Sequence, residues 1–324
     1  MDFIKLPKID LHCHLDGSLP LSLVQELLDD PSIQLEQLQA APDTDSLAVY
    51  LEKFDLPVRC LQTEDGLFQS AYRLIEEVSK ENIRYLEVRF APMLSVNDSL
   101  SCRTVIESVI RGLAKGYQDY GVFSNVIVCA MRHHSEEQNL TMLKVSRELL
   151  GEGVCALDLA GDEAGFANQE FIHLFKEAKR IDMPFTIHSG ECGSVENVRL
   201  AMELGAKRVG HGIALHKDRE LMREYAKRRI GLEMCPTSNL QTKAVKRLED
   251  YPLLDFLKND ILVSVNTDNR TVSQTTMANE LMIIYQSSGQ NPEVIKILLQ
   301  NAIEMSFASD DIKHQLMKEK PLFT

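Results

Sequence analysis

Short apolar runs alternate along the chain with longer stretches in which apolar positions recur every three or four residues. Several of the short runs are apolar at almost every position, a pattern that is typical of parallel strands buried on both faces. We therefore predict eight strands, at residues 8–14, 83–92, 124–132, 154–161, 184–191, 208–213, 230–239 and 261–269.

The longer stretches predict amphipathic helices. Residues 67–80 place Leu67, Ala71, Leu74 and Val78 on one face, and similar patterns predict helices at 104–116, 167–180 and 195–204. Strand–helix units repeated eight times predict an α/β fold, a (β/α)8 or TIM barrel. A doubly wound open sheet would also alternate, but the count of eight favours the barrel, as does the lack of a GxGxxG or GxxxxGK motif after the first strand.

The connection between the first and second strands is long enough to hold about three helices, two of them predicted at 20–29 and 46–54. This helical insertion after strand 1 either adds outer packing or forms a lid that excludes water from the top of the barrel. Because the chain shows no repeats, low-complexity tracts or obvious linker, we predict a single domain over residues 1–324.

Composition and charge narrow the class of protein. Apolar residues make up 44% of the 324 positions, enough for a large core, and the net charge of -13 disfavours binding to nucleic acids or anionic membranes. No run approaches the roughly 18 apolar residues of a membrane span, and no signal peptide opens the chain. Seven irregularly spaced cysteines fit reduced thiols in the cytoplasm better than a disulfide framework. No pattern specifies an oligomeric state.

Histidines and an aspartate collect at the ends of the predicted strands. His12 and His14 lie two residues apart and so face the same side of strand one. His188, His211 and Asp268 end strands five, six and eight. Taken alone, His12 and His14 could be buried, hydrogen-bonded histidines without a functional role. Five polar groups on the face where barrel active sites lie indicate a functional site instead.

Three imidazoles and one carboxylate are suitable ligands for a divalent ion that keeps an open position for water. We predict His12, His14, His188 and Asp268 as the ligands of one metal ion, zinc by preference, although iron and cobalt suit the same set. Such an ion lowers the pKa of bound water from ~15.7 to about 7. His211 would be a fifth ligand or, by preference, a neighbouring base or orienting group. Strand four contains no lysine, which disfavours a bridged second metal ion.

Two other features complete the predicted site. Glu191, three residues after His188, either caps the following helix or moves protons, because zinc deaminases place a Glu that is not a ligand beside the activated water. Arg89 and Arg132 end strands two and three, where we predict buried ion pairs.

The motifs HCHLDGS, LAGDE, HSGE, GHG, CPTSN and NTDN occur in this order between His12 and Asn269. Together they resemble the adenosine deaminase family of the metal-dependent hydrolase superfamily, in its bacterial NTDNR form. The resemblance implies that His12, His14, His188 and Asp268 hold a single zinc ion. It also implies that Glu191 donates a proton to N1 of a purine, and that His211, with Asp268, orients or deprotonates the attacking water.

The same resemblance implies the substrate contacts. The backbone N–H of Gly161 would bind purine N3, where a side chain would block the ring, and Asp16 with His14 would receive the ribose 5′-hydroxyl. Asn269 stands where the commonest mammalian pattern has a second aspartate. An amide donates a hydrogen bond to purine N7 at any pH, whereas a carboxyl must first be protonated.

The expected activity is deamination of adenosine and 2′-deoxyadenosine to inosine and 2′-deoxyinosine with release of ammonia. Asp16 would repel a 5′-phosphate, and HLDG in place of HLEG favours adenosine over adenine. The alternatives are adenine deaminase, another purine or ring-opening hydrolase of the superfamily, and a catalytically silent binding protein on the same scaffold.

Overall fold

The computed structural model describes residues 1–41, 50 and 52–318. Within them the chain forms eight parallel strands and follows most of them with helix. The strands are β1 Lys8–His14, β2 Ile83–Phe90, β3 Phe123–Met131, β4 Val154–Ala160, β5 Thr186–Ser189, β6 Arg208–His211, β7 Gly231–Met234 and β8 Val263–Val265. The predicted (β/α)8 barrel is thus confirmed.

The strands pair in chain order, β1 to β4 in one sheet and β5 to β8 in the other. Isolated β-bridges join the two sheets into a closed barrel. Between β4 and β5, the backbone N–H of Leu157 donates to the carbonyl of Pro184 at 2.9 Å. On the other side, Cys13 of β1 forms a parallel bridge with Asp268, three residues after β8. The last contact matters for function because it connects the chain after β8 directly to the histidines of β1.

Helices surround the barrel. They are α1 Leu21–Leu27, α2 Asp55–Cys60, α3 Glu64–Ser79, α4 Cys102–Tyr120, α5 Glu136–Glu148, α6 Ile172–Arg180, α7 Val195–Leu204, α8 Arg219–Arg228, α9 Pro236–Gln241, α10 Leu253–Lys258, α11 Met277–Ser287, α12 Pro292–Met305 and α13 Asp310–Lys318. Short 3-10 turns lie at Leu35–Gln37, Glu52–Phe54, Pro92–Leu94, Asn168–Phe171, Ile213–Lys217 and Leu248–Asp250. None of the helices among the described residues combines the length and apolar character that a membrane crossing requires.

Side-chain caps define where the long helices begin. The hydroxyl groups of Thr63, Ser101 and Ser135 accept hydrogen bonds from backbone N–H groups in the first turns of α3, α4 and α5. Each bond satisfies one of the donors that a helix start leaves free and stabilises it by about 1 kcal/mol. The apolar faces behind these caps join one large core cluster that includes Val88, Leu157, Ile187 and Leu232 from strands of both sheets. The single-domain organisation stays a prediction.

The structure corrects the predicted boundaries at the ends of strands and in the insertion. Residues 236–239 are not strand, because Pro236 begins α9. Asp268 lies beyond β8 rather than at its end. Within the insertion, α1 confirms the helix predicted at 20–29. Most of the helix predicted at 46–54 lies outside the described residues.

Candidate metal and substrate site

The four predicted ligands come together at the carboxyl ends of the strands. Oδ1 of Asp268 lies 3.5 Å from Nε2 of His12 and 3.4 Å from Nε2 of His14. Nε2 of His14 lies 3.3 Å from Nε2 of His188. Residues far apart in the sequence therefore converge on one point, as the resemblance implies.

His211 competes with His14 for a place at this point. The donor atoms of His12, His188, His211 and Asp268 all lie within 4.8 Å of one another, a spacing at which they could hold an ion. Five groups thus surround one centre, and the choice of His14 as ligand and His211 as neighbour stays a prediction.

The chemistry of the donor set fits a metal ion. Nε2 of His12 is buried and has no hydrogen-bond partner among the described residues, which is costly unless another species binds it. Burial lowers the pKa of His14 well below its usual range, so its imidazole is neutral and can coordinate. Burial by itself would raise the pKa of Asp268, but the imidazoles of His12, His14 and His211 around it lower it, so this carboxyl is ionised.

Buried carboxylates orient two of the imidazoles from behind. Nδ1 of His12 lies 2.8 Å from Oε2 of Glu233, and Nδ1 of His188 lies 2.9 Å from Oδ2 of Asp158. The His12 pair is a hydrogen bond, whereas the His188 pair is a close contact without hydrogen-bond geometry. In each pair the negative charge of the carboxylate attracts the ring hydrogen to Nδ1 and leaves the Nε2 lone pair directed at the centre. Such outer partners fix the tautomer and orientation of metal-binding histidines.

A layer of buried charges lies beneath the site. Arg89 donates to Asp158 and to Glu233, each at 2.7 Å, and Nε of Arg208 donates to Glu233 at 2.6 Å. The predicted ion pair of Arg89 is confirmed. That of Arg132 is wrong, because this guanidinium donates to the backbone carbonyls of Phe166 and His188 and to the amide of Asn168. Its side chain satisfies a buried backbone acceptor in β5 and another in the loop after β4, instead of pairing with a carboxylate.

Two of the central residues have an unusual backbone. His211 and Asp268 lie in the left-handed region, with φ of 61° and 59°. That conformation is uncommon for residues other than glycine, and it persists where the surroundings enforce it. For Asp268 the enforcing contacts are two backbone hydrogen bonds of 2.7 Å to His12 and His14. The closure of the barrel therefore also aims the carboxylate.

Glu191 points into the site and does not cap a helix. The N-cap of α7 is Ser194, so the capping interpretation of Glu191 is wrong. The Thr242 hydroxyl donates to Oε1 of Glu191 at 3.0 Å, and Oε2 lies 3.6 Å from Nε2 of His211. One carboxylate oxygen is thus fixed by the protein, while the other faces the polar centre.

Glu163 secures the loop that carries Glu191. Its buried carboxylate accepts hydrogen bonds from the backbone N–H of Gly190 at 2.6 Å and of Cys192 at 2.9 Å. These two residues flank Glu191 in the chain. The amide of Asn197 donates to the same carboxylate at 2.9 Å. The LAGDE motif therefore positions the HSGE motif.

A cavity of about 620 Å³ opens from this centre. All the predicted catalytic and substrate-binding residues line it: His14, Asp16, Gly161, Glu191, His211, Asp268 and Asn269. Its remaining wall includes Tyr50, Phe54, Asp55, Val58 and Arg59, all from the insertion after β1. The insertion thus contributes to the cavity, in agreement with the lid interpretation rather than with outer packing alone.

Two polar atoms in the cavity wall lack partners in the part of the chain that the structure describes. Oδ1 of Asp16 and Oδ1 of Asn269 are buried without a hydrogen bond, and burial raises the pKa of Asp16 to about 6. Gly161 has φ of 102°, and a Cβ there would come no closer than 3.5 Å to other protein atoms. The requirement for glycine in the free protein therefore comes from its backbone conformation.

Sequence reasoning missed several of these contributors. Asp158 and Glu233 lie inside strands, where a carboxylate is rarely buried without a partner, and this signal was available in LDLAGDE and GLEMCP. Glu163 also lies in a motif. The residues Tyr50 to Arg59 carried no such signal, because their approach to the cavity depends on the path of the insertion.

Comparisons with known proteins agree with this geometry. Residues 7–320 match the family model described as adenosine deaminase. An adenosine deaminase of Clostridium botulinum is 41% identical, over 98% of this chain and 97% of its own. One of Clostridium perfringens is 38% identical, over 98% of both chains.

Solved structures with the same fold include an Arabidopsis N6-mAMP deaminase, with a TM-score of 0.88 and 26% identity over 98% of this chain and 99% of that one. An adenine deaminase of Arthrobacter aurescens has a TM-score of 0.86 and 24% identity over 97% of both chains. The family match covers nearly the whole chain and includes every predicted site residue, so the protein belongs to the adenosine deaminase family.

Proposed function

We propose that this protein is a hydrolase that converts adenosine and 2′-deoxyadenosine to inosine and 2′-deoxyinosine with release of ammonia. The observation that carries the proposal is that one cavity contains a cluster of imidazoles and a carboxylate that could hold a metal ion, a carboxyl group beside it and an unpartnered carboxylate oxygen further along the wall. The first two provide hydrolysis, and the third provides recognition of a sugar hydroxyl. Whole-length relatives named adenosine deaminase support the same substrate.

The proposed cofactor is one zinc ion per chain, held by His12, His14, His188 and Asp268. Three imidazoles and a carboxylate are donors that zinc prefers. When bound, the ion supplies Lewis acidity, so that water is a nucleophile at neutral pH. The contribution of the protein is to orient the donors, through Glu233 behind His12 and Asp158 behind His188.

Glu191 and His211 carry the proposed proton and orientation roles. Water adds to C6 of the purine as Glu191 gives a proton to N1. Of the two protons that the water releases, one restores Glu191 and the other leaves with the amino group as ammonia. C6 then carries a carbonyl and N1 keeps its hydrogen, so atoms and charge balance. Protonation at N1 makes C6 more electrophilic and avoids an anionic ring. Thr242 fixes Oε1 of Glu191, which leaves Oε2 beside His211 to exchange the proton. General acid catalysis of this kind contributes typically ~10²–10⁴-fold.

Recognition of the nucleoside rests on three groups. We propose that Asp16 accepts a hydrogen bond from the ribose 5′-hydroxyl together with His14, that Gly161 contacts N3 through its backbone, and that the amide of Asn269 donates to N7. The unpartnered Oδ1 of Asp16 supports the first role. A carboxylate at this position would repel a 5′-phosphate, which favours nucleosides over AMP.

A panel of substrates tests the proposal. Adenosine, 2′-deoxyadenosine, adenine, AMP and N6-methyl-AMP are assayed side by side, through loss of the aminopurine ultraviolet band and release of ammonia. The two nucleosides should give the highest kcat/KM, and metal analysis of the same preparation should find about one equivalent of zinc. Preference for adenine or for a nucleotide would overturn the substrate assignment, and iron or cobalt in place of zinc would overturn the cofactor assignment.

The proposed location is the cytoplasm, and the proposed partner is a small purine nucleoside rather than nucleic acid. All seven cysteines are free, and six of them are buried. Unpaired thiols are typical of a reducing compartment. The net charge of -13 disfavours attraction to a phosphate backbone.

A further inference from the structure

The amide of Asn239 lies behind His211, on the side of the ring that faces away from the site. Its Nδ2 is 2.9 Å from Nδ1 of His211, and both residues are buried. His211 is the residue for which the sequence left three roles open: fifth metal ligand, base or orienting group. The position of its single ring hydrogen decides among them, because a nitrogen that carries hydrogen can neither coordinate a metal nor accept a proton.

The surroundings of Asn239 determine which end of the amide faces His211. Its Oδ1 accepts hydrogen bonds from the Tyr251 hydroxyl at 3.0 Å and from the backbone N–H of Cys235 at 3.4 Å. A backbone N–H can only donate. The reversed amide would therefore point its NH2 group at the Cys235 N–H, donor against donor, inside a buried region where unsatisfied groups are costly. The oxygen must face Cys235 and Tyr251, so the NH2 group faces His211.

From this arrangement we propose that Asn239 is a positioning residue that keeps the ring hydrogen of His211 on Nε2. Nδ1 must be bare to accept from the amide, so the hydrogen lies on the nitrogen 3.6 Å from Oε2 of Glu191. His211 then acts as a hydrogen-bond donor towards the centre and is neither a ligand nor a base. The catalytic meaning of this assignment rests on the proposed function, whereas the position of the hydrogen does not.

The contrast with the other imidazoles supports the assignment. His12 and His188 have carboxylates behind Nδ1, which direct hydrogen to that nitrogen and free Nε2 for a metal ion. His211 alone among these three has an amide there, which has the opposite effect. The protein thus uses one kind of partner for the rings that bind metal and another for the ring that donates.

Nuclear magnetic resonance provides a test that does not depend on activity. The zinc-loaded protein is prepared with 15N-labelled histidine, and the His211 signals are assigned by their loss in His211→Ala. We expect hydrogen on Nε2 and a bare Nδ1 in the wild-type protein, and the reverse in Asn239→Asp. Hydrogen on Nδ1 of the wild-type ring would overturn the proposal, even if the protein deaminates adenosine as proposed.

Kinetics provide the second test. Asn239→Asp keeps the shape and still accepts from Tyr251 and Cys235, but its second oxygen draws the ring hydrogen to Nδ1. We expect kcat for adenosine to fall about 10²-fold with KM unchanged, as when a single positioned donor is removed. If His211 is a base, the same variant should retain or raise kcat, and that result would refute the donor role.

Two further variants complete the experiment. Asn291→Asp is the matched control, because this exposed N-cap accepts from the Glu293 N–H with either side chain and should leave kcat unchanged. Tyr251→Phe removes one donor that orients the amide and should lower kcat several-fold, about what loss of one hydrogen bond allows. Should Asn239→Asp not fold, the wild-type spectrum still tests the proposal, because hydrogen on Nδ1 of His211 would overturn it. Full activity in Tyr251→Phe with an unchanged His211 spectrum would contradict the role of the hydroxyl in holding the amide.

Discussion

At the scale of single residues, the sharpest prediction concerns Glu191. Glu191→Gln keeps the size and the bond from Thr242 but cannot supply a proton to N1. We expect kcat to fall by ~10²–10⁴-fold, with metal content unchanged because Glu191 is not among the predicted ligands. Steady-state kinetics and metal analysis of the purified variant measure the two effects.

The matched control is Glu196→Gln, in the first turn of the following helix, whose side chain is 80% exposed. It should behave like the wild-type protein. Turnover in Glu191→Gln close to that of this control would remove Glu191 from the proton-transfer role.

The residues nearest the centre could be predicted from the sequence because of strand geometry. The alternation of side chains along a strand placed His12 and His14 on one face, and parallel strands of a barrel end on one side. Asp268 was found by its motif, although its exact position was not, because its left-handed backbone and its bridge to β1 depend on closure of the barrel. Neither feature has a local signal.

At the scale of elements, Glu163 connects the end of β4 to the loop after β5. Glu163→Gln replaces one accepting oxygen by an NH2 group, which faces the N–H of Gly190 or of Cys192. Losing such a bond in a buried place costs about 1–3 kcal/mol, and the loop that carries Glu191 should move. We expect kcat to fall by about tenfold or more, with a lower melting temperature and unchanged metal content.

Glu170→Gln is the control for that experiment. Glu170 lies in the same connection between β4 and α6, is exposed, and accepts from the Ala167 N–H, as a glutamine also can. Equal kinetics for the two variants would show that the Glu163 carboxylate does not position the loop.

The insertion after β1 makes a separate prediction. Phe54 is half-buried in the cavity wall, and Phe54→Ala should weaken nucleoside binding by removing apolar contact worth about 1–2 kcal/mol. We expect KM for adenosine to rise about tenfold, and kcat to change less. Val96→Ala, at a partly exposed site outside the cavity, is the control and should leave KM unchanged. An unchanged KM for Phe54→Ala would contradict a role of this side chain in substrate binding and would favour the outer-packing interpretation of the insertion.

Regular elements were easier to predict than their ends. The pattern of β1 gave residues 8–14 with no error, and α7 was predicted at its observed bounds. Predictions for β5, β7 and β8 were too long, because the motifs at their ends are as rich in β-formers and small residues as the strands. Pro236 was included in a strand although proline favours the first turn of a helix, which is what it forms in α9.

At the scale of the whole molecule, the charged layer inside the barrel unites both sheets. Arg89 of β2 and Arg208 of β6 share Glu233 of β7, and Arg208 also pairs with Glu87. The sequence shows these residues as isolated charges within apolar runs. Which charge pairs with which depends on the strand register around a closed barrel, so the network could not be derived from the sequence. The same network holds the carboxylates that orient the predicted metal ligands.

One further buried carboxyl group makes the stability of the whole molecule depend on pH. Glu280 of α11 is buried, and its carboxyl accepts from the Thr237 N–H at the start of α9 and from the Thr275 hydroxyl. Burial raises its pKa from 4.5 to about 7. Because the folded state binds the proton more tightly than the unfolded state, stability from this group is complete below about pH 4.5 and is lost as pH rises towards 7.

Replacing this carboxyl by an amide should remove that dependence. In Glu280→Gln the amide oxygen can accept from Thr237 and the NH2 group can donate to the Thr275 oxygen, so both contacts keep a hydrogen bond. At about 1.4 kcal/mol per pKa unit, the free energy of unfolding of the wild-type protein should fall relative to the variant by about 3 kcal/mol between pH 4.5 and pH 8. Urea unfolding of both proteins at several pH values measures this difference. Other titrating groups contribute equally to both proteins and cancel, so parallel curves would show that Glu280 ionises at its ordinary pKa despite its burial.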